Sequence, residues 1–180
     1  AIIVVHVYGN AVNIEQLRAL CKKRNIKIIE DASESLGTFY YKGKLKGKHT
    51  GTIGDLGCLS FNGNKTITSG GGGMILTNNS KYAKKAKYLI RQAKDDEINF
   101  IHNDVGYNYS MTNIHAAIGM AQFKKIKTIL KKKINIHKYY KKSLERFDTL
   151  ELILAPDYSK SNFWLNILKL KKPSKNKKNK

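Results

Sequence analysis

The chain is poor in the residues that most restrict a backbone. Of 180 residues, two are proline, two are cysteine and one is tryptophan. The cysteines, Cys21 and Cys58, stand in no metal-type spacing and in no cluster with histidine, so no zinc site or disulfide framework is expected. They read as reduced, buried thiols of a cytoplasmic protein. No apolar run approaches the roughly 20 residues that a membrane-spanning helix needs. No secretory leader pattern is visible, and no membrane partner is expected. Acidic residues are also scarce, 13 against 34 basic ones, for a formal net charge of +21. Such a balance ordinarily points to nucleic acid. Here, however, only Arg18, Arg24, Arg91 and Arg146 are arginines, while lysine, isoleucine and asparagine are abundant. That combination reads as a compositional bias, and nucleic acid is not the expected partner. The end of the chain is mostly Lys, Asn, Ser and Pro, and residues 171–180 are expected to be a disordered basic tail.

What is present is a short-period pattern of strands and helices. Ile2 to Val7 reads as a buried strand ending in a Tyr8-Gly9-Asn10 turn. Asn13 is a candidate cap, with Gln16 three residues later and Ile14, Leu17, Leu20 and Cys21 on one helical face. Ile26 to Ile29 reads as a second buried strand, stopped by Glu30-Asp31. Strand, helix and strand at this spacing predict parallel strands with a right-handed crossover. Ligands of open α/β sheets gather beyond the carboxyl ends of such strands, and Asp31 lies at one of them. Further strands are expected over Leu56–Phe61, Met74–Thr77, Leu150–Leu154 and Phe163–Leu170. Ser80 is expected to cap a helix with Tyr82, Ala83, Ala86, Leu89, Ile90 and Ala93 inward. Thr112 caps another, with Ile114, Ala117, Ile118 and Ala121 inward, continuing as one long helix or two in series. Gly70 to Gly73 read as a flexible turn, and they are not a P-loop because no Gly-Lys-Ser/Thr follows.

Asp31, Ser60 and Lys65 are the residues that carry chemistry. A pyridoxal phosphate (PLP) site needs an amine for the cofactor aldehyde, a carboxylate for the pyridine nitrogen, and hydroxyls and N–H groups for the phosphate. Lys65, Asp31 and Ser60 have those three types, and nearby glycines allow close approach of a planar ligand. Each alone is ordinary: lysine is everywhere in this chain, and an acid or a serine at a strand end is usually structural.

Their order adds information. Glu30-Asp31-Ala32-Ser33-Glu34-Ser35-Leu36-Gly37, the run Gly54 to Thr68 and Gly72-Gly73-Met74-Ile75 resemble the DegT/DnrJ/EryC1/StrS family of sugar-nucleotide aminotransferases. Gly106-Tyr107-Asn108-Tyr109, the helix after Met111 and Asn162-Phe163-Trp164-Leu165 continue the resemblance in order, over about residues 2 to 170. It implies an α/β fold, the large domain of PLP fold type I (aspartate aminotransferase-like), with a mixed, mostly parallel sheet flanked by helices. It implies that Lys65 is the Schiff-base lysine, Asp31 the partner of the pyridine nitrogen and Ser60 a phosphate ligand. Glu34 takes the position beside the ring. Asn108 reaches the phosphate held by a neighbouring subunit, which implies a homodimer with shared active sites.

The implied reaction is ping-pong transamination between an amino-acid donor, commonly glutamate, and a nucleotide-linked 4-keto-6-deoxy sugar. Its products serve surface polysaccharide, nonulosonic acid or glycan biosynthesis. Dehydratase-type relatives carry His at the position of Lys65. Ser110 stands where the family usually has Arg, and Gly71 replaces a frequent Glu. The family chain is about twice as long, so the expectation is a fragment: residues 1–148 as a partial PLP-binding large domain, 149–170 as the start of a C-terminal small domain, then the tail. Such a chain is expected to expose apolar sheet surface and, alone, to bind PLP poorly. The alternative is a remnant without catalysis whose basic surface binds acidic partners.

Overall fold

The computed structural model describes residues 1–171. The expected tail falls outside these, apart from Lys171. The centre is a four-stranded sheet in the order β1 (Ile2–Val5), β2 (Ile28–Asp31), β4 (Leu56–Ser60), β5 (Gly73–Leu76). β1 runs parallel to β2 and β2 to β4, while β5 is antiparallel to β4. The sheet is therefore mixed and mostly parallel, as expected. α1 (Ile14–Lys23) makes the crossover from β1 to β2. β3 (Phe39–Tyr40) pairs with β9 (Ser159–Lys160), which ties the chain's beginning to its far end. α2 (Ser80–Leu89) follows β5, and a small irregular pair, β6 (Lys94–Asp96) and β7 (Ile101–His102), follows α2. α3 (Asn113–Lys124) and α4 (Ile126–Leu144) are two helices in series. β8 (Leu150–Leu152) and β10 (Leu168–Leu170) form an antiparallel pair.

Side chains alternate across a strand, so pairing register assigns each residue a face. Val4 and Ile28 point toward α1 and join Ile14, Cys21, Tyr40 and Leu45 in the main core. Ile3, Val5 and Ile75 point to the opposite face, where all three are exposed. β1, expected to be a buried strand, is thus an edge strand with one bare apolar face. It also stops at Val5, because His6 turns inward and Tyr8 adopts φ 57° in a 3-10 turn over Val7–Gly9.

Two expected caps are corrected. Asn13 makes no side-chain bond to α1; Ile14 N–H goes to the Val12 carbonyl instead. α2 is capped by Asn79, not Ser80: its Oδ1 accepts from Lys81 and Tyr82 N–H. Thr112 does cap α3, accepting from His115 N–H. The face of α3 expected to point inward is open, with Ile114 73% exposed. The glycine run is ordered. Gly70 and Gly72 sit at φ 85° and 87°, and a Cβ on Gly73 would meet the Leu59 carbonyl oxygen at 2.5 Å. These residues are glycine because the chain turns left-handed into β5 and lies against β4.

Candidate active site

Asp31 ends β2 and Ser60 ends β4, so both stand at the carboxyl edge of neighbouring parallel strands. Asp31 pairs with Cys58, and Ser60 lies two residues on, which puts all three on one face of the sheet. Asp31 Oδ1 accepts from Ser33 N–H, and Oδ2 takes no hydrogen bond from a described residue. One oxygen is thereby fixed. Ser60 Oγ accepts from Asn62 N–H, leaving its own proton to donate. Burial and the Asp31 charge push the Cys58 thiol up, so Cys58 remains a neutral thiol beside the carboxylate. Lys65 follows in a turn closed by its N–H on the Asn62 carbonyl, and its side chain is half-buried. Asp31 and Ser60 thus share one edge of the sheet, and Lys65 lies in the turn five residues after Ser60.

Glu30, read from the sequence as a strand stop, is a fully buried brace. Oε1 accepts from Ile53 and Gly54 N–H at 2.6 Å each, and Oε2 from Gly51 N–H at 2.8 Å. His6, also fully buried, accepts Val12 N–H on Nδ1 and therefore donates from Nε2 to Glu30 at 2.9 Å. Burial alone would push the Glu30 carboxyl up. His6 and the three backbone donors outweigh it and hold the group below its ordinary value. This carboxylate shapes the loop between β3 and β4 and lies on the sheet face opposite Asp31.

Three residues from outside the expected set complete the edge. Asn162 is 1% exposed. Its Nδ2 is directed at the carbonyls of Glu34 and Leu36 and at Thr66 Oγ1, beside Lys65, and its N–H donates to Thr38 Oγ1. Its Oδ1 accepts from Trp164 N–H and crowds Gly9, where a Cβ would come within 1.9 Å. Trp164 donates from Nε1 to the Asn64 carbonyl at 2.8 Å, stacks with Tyr8 at 6.3 Å, and lies under Lys65 Nζ, 4.4 Å from the ring centre. Glu34 is present at this edge, where Oε2 accepts Tyr8 N–H at 2.6 Å. α4 holds the segment from behind: His137 stacks on Phe163 and donates to Asn166 Oδ1, and Lys133 Nζ donates to the Trp164 carbonyl. Burial pushes the Lys133 amine down. The only sequence signal for this group was the motif Asn162-Phe163-Trp164-Leu165, to which spacing alone gave no role.

Asn108 lies elsewhere. With Ser110 it lines a cavity of about 510 Å³ bounded by Lys84, Lys87, Arg91 and Lys94, and it shares no hydrogen bond with Asp31, Ser60 or Lys65. The backbone there is unusual, with Gln92 and Ala93 both at positive φ (66° and 48°), packed against Gly106 where a Cβ would meet Ala93 N at 2.2 Å.

Comparison with known proteins gives this geometry a context. The chain is 42% identical over 144 residues to GDP-perosamine synthase of Escherichia coli O157:H7, covering 80% of this chain and 38% of that protein. It is 36% identical over 166 residues to UDP-4-amino-4,6-dideoxy-N-acetyl-beta-L-altrosamine transaminase of Campylobacter jejuni, covering 90% and 42%. The structure of PseC from Helicobacter pylori, an aminotransferase involved in the biosynthesis of pseudoaminic acid, superimposes with a TM-score of 0.85 at 25% identity, covering 96% of this chain and 46% of that one. The chain thus spans about two fifths of the length of the curated relatives it matches. The profile of the DegT/DnrJ/EryC1/StrS aminotransferase family matches residues 1–180, and the chain belongs to that family.

Proposed function

We propose that the protein is a PLP-dependent aminotransferase that moves an amino group from an amino-acid donor, commonly glutamate, to a nucleotide-linked 4-keto-6-deoxy sugar. The observation that supports this reading is the carboxyl edge of β2 and β4, which carries a carboxylate and a hydroxyl, with a lysine in the turn that follows. The residues fit the cofactor. Asp31 Oδ2 is open to a pyridinium N–H, and Ser60 Oγ has a proton for a phosphate oxygen. Lys65 supplies the amine, and Glu34 and Tyr8 stand at the same edge. When bound, PLP supplies an electron-accepting ring. Asp31 would hold that ring's nitrogen protonated, because a carboxylate beside a cation favours its charged form. Lys65 Nζ takes and returns the proton of the substrate carbon as general base and acid.

The named activities of the relatives, perosamine synthesis and transamination of a UDP-linked amino sugar, support the sugar-nucleotide class. They also favour catalysis over a basic remnant. In the same reading the enzyme is a cytoplasmic homodimer in which Asn108 reaches the neighbour's phosphate. Its large domain runs through residue 148, and the β8–β10 pair opens the small domain. Ser110, in place of the usual Arg, leaves Arg91, whose backbone bridges Asn108, as a cation of that cavity.

The test uses the full-length natural protein with added PLP and each keto-sugar nucleotide in turn. A visible absorbance band from cofactor bonded to lysine is expected in the wild type and lost in Lys65→Ala, together with amino transfer. A wild-type protein without the band, or a band that survives in Lys65→Ala, overturns the assignment.

A further inference from the structure

Lys65 Nζ rests over the face of Trp164, 4.4 Å from the ring centre. That face is held rigidly from three sides. Trp164 Nε1 donates to the Asn64 carbonyl in the turn that carries Lys65, its N–H donates to Asn162 Oδ1, and Tyr8 stacks on it at an interplanar angle of 22°. Tyr8 is fixed in turn by Glu34, through a backbone conformation (φ 57°) that residues other than glycine adopt only when their surroundings impose it. Residues separated by 100 positions or more thus converge to place one aromatic face under one ammonium group.

We propose that Trp164 is a positioning residue that receives the Lys65 ammonium whenever Lys65 is released from the cofactor. This rests on the reading of Lys65 given above. In the exchange, the donor's free amine would bond to the carbon that holds Nζ, one of its protons would pass to Nζ, and the bond from that carbon to Nζ would break, so that Lys65 leaves as a neutral amine and becomes an ammonium when it takes the proton of the substrate carbon. Lys65 then carries a full charge and needs a place that is close, preformed and attractive to cations, and the face of an indole is the most favourable aromatic one. The consequence has a definite sign. A contact made only by the free ammonium stabilises the released state and so opposes the bond between Lys65 and the cofactor. A residue that merely shaped the site would do the reverse, since its loss would weaken cofactor capture.

The experiment compares Trp164→Leu with Trp164→Phe in the full-length protein. Both lose the indole N–H bond to Asn64, but only the Phe variant keeps a ring face. PLP held on Lys65 is titrated by absorbance and confirmed by borohydride trapping and peptide mass. Trp164→Leu is expected to retain PLP on Lys65 roughly threefold to tenfold more tightly than Trp164→Phe. Equal retention, or weaker retention in the Leu variant, overturns the proposal. A second measurement needs no cofactor. Trp164 is the one tryptophan of these 180 residues, and the difference in emission between the full-length protein and its Trp164→Phe variant isolates its signal. Emission is expected to change in Lys65→Met, and emission identical to wild type overturns the contact. Failure of the aminotransferase reading would show separately, as a wild type that traps no PLP on Lys65.

Discussion

The carboxyl edge of the sheet and the surface built from residues 98–123 differ in how their side chains are satisfied. At the edge, polar groups are buried and paired: Glu30, Ser35, Thr38, Thr50 and Asn162 are at most 1% exposed, and no buried side-chain polar atom among the described residues lacks a partner. On the second surface the apolar side chains face outward. Ile98 is 87% exposed, Val105 74%, Tyr109 72% and Ile114 73%. In the first region the buried polar side chains are satisfied by described residues, whereas the second carries the apolar character of an interface core with nothing among the described residues laid over it. Asn108, the residue proposed to serve a neighbouring subunit, lies in the second region, while Asp31, Ser60 and Lys65 lie in the first. In the proposed reading, the residues for the ring and the amine lie where polar groups are paired, and the residue proposed to be shared lies where the surface is open.

The contrast breaks most severely at Asn162. Asn162→Ala would leave the Glu34 and Leu36 carbonyls buried without that donor and open a gap under Gly9. A loss of about 3 kcal/mol of stability is expected, read from denaturant unfolding. A comparable change on the open surface, Ile98→Ala, should cost under about 0.5 kcal/mol.

The open surface should respond in association instead. Ile114→Glu is expected to weaken dimer formation by roughly tenfold or more, measured by sedimentation, with little change in the unfolding midpoint of the subunit. A dimer constant equal to the wild type's would separate α3 from the interface.

Acid should discriminate the regions further. Glu30 sits below its ordinary value of 4.5 in the folded protein. Its contribution is therefore fully present above about 4.5 and is lost as pH falls through the lower, folded value. Stability should fall with acid below that point, and the fall should be shallower in Glu30→Gln. Identical acid profiles would mean that the brace contributes nothing. The smallest effect is expected at a helix end: Asn79→Ala should cost about 1 kcal/mol, and Ser80→Ala less, because Asn79 makes the capping bonds.

Much of this arrangement was legible in the sequence, and the failures have physical causes. The βαβ unit was readable because Ile14, Leu17 and Cys21 repeat at helical spacing between two apolar runs. The placement of Asp31 and Ser60 was readable because each closes an apolar run that reads as a strand. The capping residue of α2 was misplaced by one, since asparagine and serine in adjacent positions are both good caps and only geometry chooses. The exposure of Ile3 and Ile114 was illegible because periodicity shows which residues share a face, not whether anything covers that face. Asn162, Trp164 and Tyr8 gained no role because their meaning lies in contacts across more than a hundred residues, which no local pattern carries. Glu30 was legible as an acid but not as a buried one, since three of its four partners are backbone N–H groups, invisible in side-chain identity, and the fourth, His6, lies 24 residues away.

The reach of Asn162 also sets a schedule for synthesis. The strands that present Asp31, Ser60 and Lys65 are made early, and their pairing needs only residues up to Leu76. The turn bearing Lys65, the Tyr8 bend and the loop of Glu34 are closed by a side chain about 100 to 150 positions later. A ribosome adding roughly 5–20 residues per second would leave that edge unfastened for about 5–20 s after Lys65 emerges. Through that interval the turn bearing Lys65 lacks the two bonds, from Asn162 to Thr66 and from Trp164 to Asn64, that hold it in the finished fold.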